Sequence, residues 1–239
     1  MNQTDYIELL QSLKSLGYQC CTLDQIRPAK GQLFLRHDVD LDLDFAAEMA
    51  ELEASIGFRS TFYVMVSSEF YNLFAFESLS SLRRIVKAGH HVGLHFDSAG
   101  CGDVNDDLDV KARGEVALLS AALGEPVRSI SFHRPIPSLQ NMDRTVAGYR
   151  HTYMPKFFSE MKYFSDSGGS FRFGHPLNDE SVQRCDALQL LTHPVWWFQK
   201  GDSTKQKLLA FRSRLDDRLR NSMTENLKPY AALVESGEA

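Results

Sequence analysis

The chemistry of this chain concentrates first in Leu35-Arg36-His37-Asp38-Val39-Asp40, where an apolar run that begins at Gln32 meets a cluster of charged side chains. Residues two apart on a strand share a face. Arg36, Asp38 and Asp40 therefore line one side, and His37 and Val39 the other. Two carboxylates held side by side repel unless a cation or a proton separates them. A divalent metal is the simplest occupant, with one Asp as ligand and the other free as a base. One of them could instead cap the helical pattern that opens near Asp42, but Asp42 and Asp44 are better placed for capping.

Histidines extend the pattern. In Gly89-His90-His91-Val92-Gly93-Leu94-His95, His91 and His95 have the spacing of a helical metal pair. Val92 to Leu94 reads as a strand, however, and four strand residues span about 13 Å. Ligands of one zinc lie about 2 Å from the ion, so His95 is the candidate ligand and His91 is structural. His133, just before Arg134-Pro135, and His193, in Leu191-Thr192-His193, also follow apolar runs. An imidazole at His193 suits proton transfer near neutral pH. His37, His90, His151 and His175 carry no assigned role. Trp196 and Trp197 could form a wall against a sugar ring or pack in the core.

The elements that must position these groups alternate. A helix capped by Thr4 stops at Gly17, and a strand runs from Gln32 to Asp38. A helix from about Asp42 to Ser55 presents Phe45, Met49, Leu52 and Ile56 on one face. Strands at Ser60–Val66, His90–Phe96 and Val127–Phe132 alternate with helices near Glu77–Ala88 and Val110–Leu123. The loop after the second of these four strands is rich in aromatics, Tyr71 among them, and Cys101 to Asp109 reads as an exposed loop. Residues 138–185 hold a short helix, a strand at Lys162–Ser165 and a turn at Ser167-Gly168-Gly169. A last strand, Ala187–Thr192, precedes a long helix over about 203–227. Alternating strands and helices predict a parallel sheet covered by helices in a single domain over 1–239, with its core at about 32–197. In such folds ligands bind at the C-terminal ends of strands. Asp38/Asp40, Ser67/Ser68, His95/Asp97, His133/Arg134, Asp166 and His193 all fall there.

Composition excludes several classes. With 239 residues, 43% apolar and 24% charged, the chain is an ordinary globular protein. A net charge of −5 gives no footprint for nucleic acid or an anionic membrane. The N-terminus lacks a signal-peptide pattern, and no apolar run approaches the roughly 20 residues of a membrane span. The four scattered cysteines read as reduced thiols. A cytoplasmic location is the expectation.

Taken together, these motifs resemble the polysaccharide deacetylases, the NodB-homology fold of carbohydrate esterase family 4, and within it the divergent WbmS-like branch of O-antigen loci. The resemblance runs from about Gln32 to Trp197. Arg36-His37-Asp38-Val39-Asp40 is similar to the first motif, which implies Asp38 as base and Asp40 as metal ligand. Gly89 to His95 matches the segment that carries the first metal histidine, at His95. Phe132-His133-Arg134-Pro135 falls at the Arg-Pro motif, Tyr163 to Gly169 near the motif that positions the acid histidine, and Leu191-Thr192-His193 at the motif that carries it. Two departures stand out. The second metal histidine would fall at Ala99, so His133 is the candidate substitute and Asp97 the reserve. The altered third motif leaves Arg134 or Arg36 to stabilise Asp38.

The resemblance implies a distorted seven-stranded β/α barrel, one divalent ion, zinc first, and loss of an acyl group, acetyl first, from an amino sugar in O-antigen-like polysaccharide synthesis. The expected metal set is Asp40, His95 and His133. The expected catalytic set is Asp38, His193, Asp166 and Arg134. Trp196, Trp197, Tyr71 and Arg36 are candidate substrate contacts, and the substrate is a nucleotide- or lipid-linked glycan. The rivals are a metal-dependent amide or formamide hydrolase acting on a non-carbohydrate substrate, and a non-catalytic carbohydrate-binding homologue.

Overall fold

The computed structural model describes residues 1–99, 101 and 106–238. The chain forms two compact units, Met1–Phe198 and Gln199–Ala239. The first carries every candidate site residue. It begins with helix α1 (Gln3–Ser15), capped by the Asn2 side chain, which accepts the Asp5 N–H, rather than by Thr4. A short β1 (Gln19–Cys20) leads to β2 (Gln32–Val39), which is buried almost throughout. Asp42 then caps α2 (Leu43–Ser55) by accepting the Asp44 N–H.

The alternation continues with β3 (Thr61–Val64), α3 (Phe76–Lys87), β4 (His91–Asp97), α4 (Asp106–Leu123) and β5 (Ser129–His133). Of the loop expected at Cys101–Asp109, residues 102–105 lie outside the described residues, and from Asp106 onward the chain is already helical. Beyond it come β6 (Arg150–His151), α5 (Pro155–Phe158), β7 (Lys162–Ser165), α6 (Glu180–Gln183), β8 (Leu188–Thr192) and α7 (Pro194–Phe198). The second unit is α8 (Thr204–Asn226) and α9 (Lys228–Ser236). No described helix is long and apolar enough to cross a membrane.

All strand pairs are parallel, in the order β6-β5-β4-β3-β2-β8-β7, with β1 added beside β2. This is the expected α/β class: a curled parallel half-barrel consistent with a distorted NodB-type barrel. Along β2 the inner face changes character at every second residue. Phe34 joins Leu23, Ile26, Tyr63, Phe157 and Met161 in an apolar plug. Arg36 forms the next layer, and Asp38 the polar end that leads to Asp40.

Gly93 makes room for this arrangement. It pairs with Tyr63, and a Cβ there would lie 2.4 Å from the Tyr63 ring. Only a residue without a side chain lets that ring lie across β4.

One helix face differs from its sequence pattern. On α2 the buried residues include Phe45, Ala46, Met49, Ala50 and Glu53, whereas Leu52 and Ile56 are only half-buried. A carboxylate takes the place expected of an aliphatic side chain.

Candidate metal centre and active site

The strand ends place Asp40, His95 and His133 so that one ligand atom from each lies within 4.8 Å of the others. His95 and His133 share the inner face because β4 and β5 pair His95 with Ser131 and Asp97 with His133. Their rings meet edge to face with centroids 5.1 Å apart. Asp40 Oδ1 is 3.0 Å from His95 Nε2 and 3.3 Å from His133 Nδ1. It has no aligned hydrogen-bond partner among the described residues, and the three atoms converge on one point.

The donor set fits zinc. Tetrahedral ligands about 2 Å from an ion stand about 3.3 Å apart, and a carboxylate with two imidazoles is a zinc-type set. Burial opposes ionisation of Asp40, but His133, His95 and the His193 charge outweigh it and hold its carboxyl well below the usual range. Asp40 in turn raises the His133 pKa.

Beside this cluster Asp38 is buried, with Oδ2 3.9 Å from His95 Nδ1. Arg36 NH1 donates to both of its oxygens, at 2.9 and 3.0 Å, and Ser131 Oγ donates to Oδ2 at 3.2 Å. Arg36 itself is fully enclosed, its guanidinium 5.5 Å from the Tyr153 ring centre and 5.9 Å from that of Tyr63. Burial works against its charge, but Asp38 and the surrounding tyrosines raise its pKa further. Arg36 therefore holds Asp38 and cannot meet substrate, which corrects its place among the substrate contacts. Arg134, expected to support Asp38, instead reaches out to Asp97 from an exposed position with φ +48°. The backbone of β5 has ended by Arg134, and the reversal turns its side chain away. Asp97 is occupied by that pair and by the Ala99 N–H at 3.0 Å, which leaves His133 in the cluster.

His193 completes the site. Its Nδ1 lies 2.6 Å from Asp166 Oδ1, and its own N–H donates to the same carboxylate at 3.1 Å. Its Nε2 faces the cluster, 3.8 Å from Asp40 Oδ2. Burial disfavours the charged ring, yet Asp166, Asp40 and Asp38 outweigh it and push the pKa up to about 9.

Trp197, a candidate sugar contact, is buried and donates its indole N–H to Asp166 at 2.7 Å. It steadies the carboxylate and offers no face to a ligand. Tyr71 is likewise buried, donating to Val39 O at 2.8 Å and accepting the Met65 N–H at 2.9 Å. It braces the loop after β3. Ser67 and Ser68 bond to Glu115 and to the Asp40 carbonyl and do not line the pocket.

The open pocket over these groups, about 290 Å³, is also lined by Arg134, Tyr153, Ser167, Gly168, Leu191 and Trp196. Ser131 and Tyr153 are the contributors that sequence reasoning missed. Ser131 left a signal, as a polar residue two before His133 in an apolar strand. Tyr153 left none, because it arrives on the segment after β6.

No protein-family model matches the chain, and no curated protein matches it. Solved structures similar to it include the chitin deacetylase of the fungal pathogen Colletotrichum lindemuthianum, at 18% identity and TM-score 0.47, covering 82% of this chain and 86% of that one. A family 4 carbohydrate esterase from Bacillus anthracis is similar at 16% identity and TM-score 0.46, covering 89% and 86%. A family 4 pseudoenzyme from the same organism has 16% identity and TM-score 0.44, covering 81% of this chain and 64% of that one. This chain thus spans less than two thirds of the pseudoenzyme's length. Likenesses this distant carry no argument about activity.

Proposed function

We propose that this protein is a metal-dependent hydrolase that removes an acyl group, acetyl in the first instance, from an amino sugar. The observation that carries the reading is the convergence of Asp40, His95 and His133 on one point, flanked by the carboxylate of Asp38 and the Asp166-held imidazole of His193. Asp40, His95 and His133 would hold the ion. A zinc held there would supply Lewis acidity for activating an acyl carbonyl and a water.

Asp38, held in place by Arg36 and Ser131, is the base that accepts a proton from the attacking water. The Asp166 carboxylate on Nδ1 favours the protonated ring of His193, which donates its proton from Nε2 to the departing amine. Asp166 fixes the ring through Nδ1, so that Nε2 is the nitrogen presented to the pocket. A pocket of about 290 Å³ suits a sugar-sized group, with Trp196 and Tyr153 among the aromatic side chains on its wall. By the resemblance of its motifs, the substrate is a glycan precursor of a surface polysaccharide.

The test is metal content by mass spectrometry on wild type and His133→Ala, followed by acetate release from N-acetylated amino sugars. One equivalent of metal in wild type, lost in His133→Ala together with acetate release, is the expected result. Acetate release from simple amides or formamides but from no sugar would replace the carbohydrate reading with the general amide hydrolase. A wild type that takes up no zinc would sink the hydrolase.

A further inference from the structure

Behind the site, on the helix-facing side of the same strands, lies a second polar cluster that the reaction does not touch. Glu53 of α2, His37 of β2, Ser60, His90 and Thr192 of β8 are all buried, and Glu53 and His37 have no exposure at all. The Glu53 carboxylate accepts from Tyr6 OH and from Ser60 Oγ at 2.6 Å, and His37 Nε2 stands 2.9 Å from it as an ion-pair contact. On the other side of the ring, His37 Nδ1 meets Thr192 Oγ1 at 2.8 Å. His90 is used up separately, accepting the Ser60 N–H and facing the Ala50 carbonyl. Burial by itself would raise the Glu53 pKa, but His37, His90 and Ser60 reverse the shift and keep it ionised.

The placement of this chain of contacts matters more than its strength. His37 precedes Asp38 and lies three residues before Asp40, whereas Thr192 immediately precedes His193. The two are register partners across β2 and β8. Alternation along each strand puts His37 and Thr192 on the rear while Asp38 and His193 face the pocket. A rear contact between them therefore sets the relative height of two strand ends, one bearing the base and a metal-type ligand, the other bearing the acid.

A packed apolar pair could also fill this space. A polar pair costs desolvation unless fully matched, so its value lies in holding one geometry.

We propose that His37, clamped by Glu53, is a positioning residue that latches β2 to β8 through the Thr192 hydroxyl and so sets His193 against the Asp38–Asp40 strand end. The inference rests on the hydrolase reading for its catalytic consequence, although not for its geometry. It predicts a latch that acts on the acid and leaves the metal-type cluster alone, because Asp40, His95 and His133 come from β2, β4 and β5 and its immediate neighbourhood but none from β8.

The experiment compares wild type with Thr192→Val, which keeps the branched shape and removes the hydroxyl, and Thr192→Ser, which keeps the hydroxyl. Zinc stoichiometry and melting temperature should be near wild type in both. In Thr192→Val, kcat on an N-acetyl amino sugar should fall about 10- to 100-fold with KM unchanged, the scale expected of a small misplacement. Thr192→Ser should restore most of it. An unchanged kcat in Thr192→Val, or an equal loss in Thr192→Ser, overturns the latch.

Imidazole 15N–1H spectra of histidine-labelled, metal-free protein decide the geometry without turnover. The His193 ring signals should shift or broaden in Thr192→Val while those of His95 and His133 stay in place. Should wild type release no acetate, the hydrolase reading falls, and these spectra alone judge the latch. Identical His193 signals in wild type and Thr192→Val would overturn it.

Discussion

Two carboxylate–imidazole pairs stand back to back across one layer of sheet, and they are built for different ends. In front, Asp166 binds Nδ1 of His193 and leaves Nε2 facing the pocket, with the ring side chain 12% exposed. Behind, Thr192 takes Nδ1 of His37, the Glu53 carboxylate stands 2.9 Å from Nε2, and the ring has no exposure. An imidazole with one nitrogen free at a solvent-reached pocket can carry a proton to a substrate. With one nitrogen on Thr192, the other against Glu53 and no exposure, the rear imidazole can only hold its neighbours. The same pairing thus becomes chemistry or scaffold according to what the second nitrogen meets.

The front face opens on a pocket, whereas the rear is enclosed. Among the described residues, Asp40 Oδ1 and His95 Nδ1 in front lack hydrogen-bond partners, although such buried groups are usually satisfied. At the rear, the Glu53 oxygens accept from Tyr6 and Ser60, and His37 Nε2 stands 2.9 Å away as an ion-pair contact.

The strongest test of this contrast is Asp38→Asn. Loss of the proposed base should lower kcat by about 10²–10⁴-fold while zinc stays bound, because Asp38 lies outside the metal-type set. Loss of zinc together with activity would show that the front carboxylates share one role.

Glu53→Ala comes next. It leaves His37, Tyr6 and Ser60 buried without their acceptor and should lower unfolding free energy by about 3–5 kcal/mol, read from urea melts. A stability near wild type would mean that the rear cluster is not the scaffold described here.

The two faces should also respond to opposite ends of the pH scale in metal-free protein. His193 has its folded pKa raised to about 9. Its contribution is fully present below its unfolded value of about 6.5 and is lost as pH rises through the folded value. Glu53 is depressed, so its contribution is present above its unfolded value of about 4.3 and is lost as pH falls through its folded pKa. Urea midpoints measured across pH should have a shallower alkaline slope in His193→Gln and a shallower acid slope in Glu53→Gln, where the depressed Asp40 keeps part of the acid limb. If either variant flattens both limbs, the two faces titrate as one network.

The smallest effect is expected at the rim. The Arg134–Asp97 pair is exposed on the arginine side, and such pairs contribute little. Arg134→Ala should leave the urea midpoint where it is and leave zinc bound, and a large loss of zinc would return Arg134 to the centre of the site.

Much of the front face was legible because it needs only strand periodicity and the rule that ligands gather at strand ends. Asp38, Asp40, His95, His133, Asp166 and His193 each follow an apolar run, and the structure gathers all six around one pocket or its immediate support. Roles that depend on which strand neighbours which were not legible. Arg36 and Arg134 carry the same charge, and nothing local reveals that one is enclosed by tyrosines while the other turns outward at φ +48°. Trp197 and Tyr71 suit a ligand face as well as a buried hydrogen bond, and only packing chose the latter.

The sequence by itself determined the alternating α/β order, the face on which each strand residue lies and the kinds of side chain delivered to the strand ends. These follow from periods of two and about 3.6 residues and from the chemistry of Asp and His. The tertiary structure alone decided that β2 lies between β3 and β8, and that Thr192 therefore stands opposite His37. It also decided that Glu53, which a helical pattern would send to solvent, turns inward to meet them. A buried carboxylate is tolerated only where several donors converge on it, and donors from α1, β2 and the start of β3 converge only when the whole sheet has closed around them.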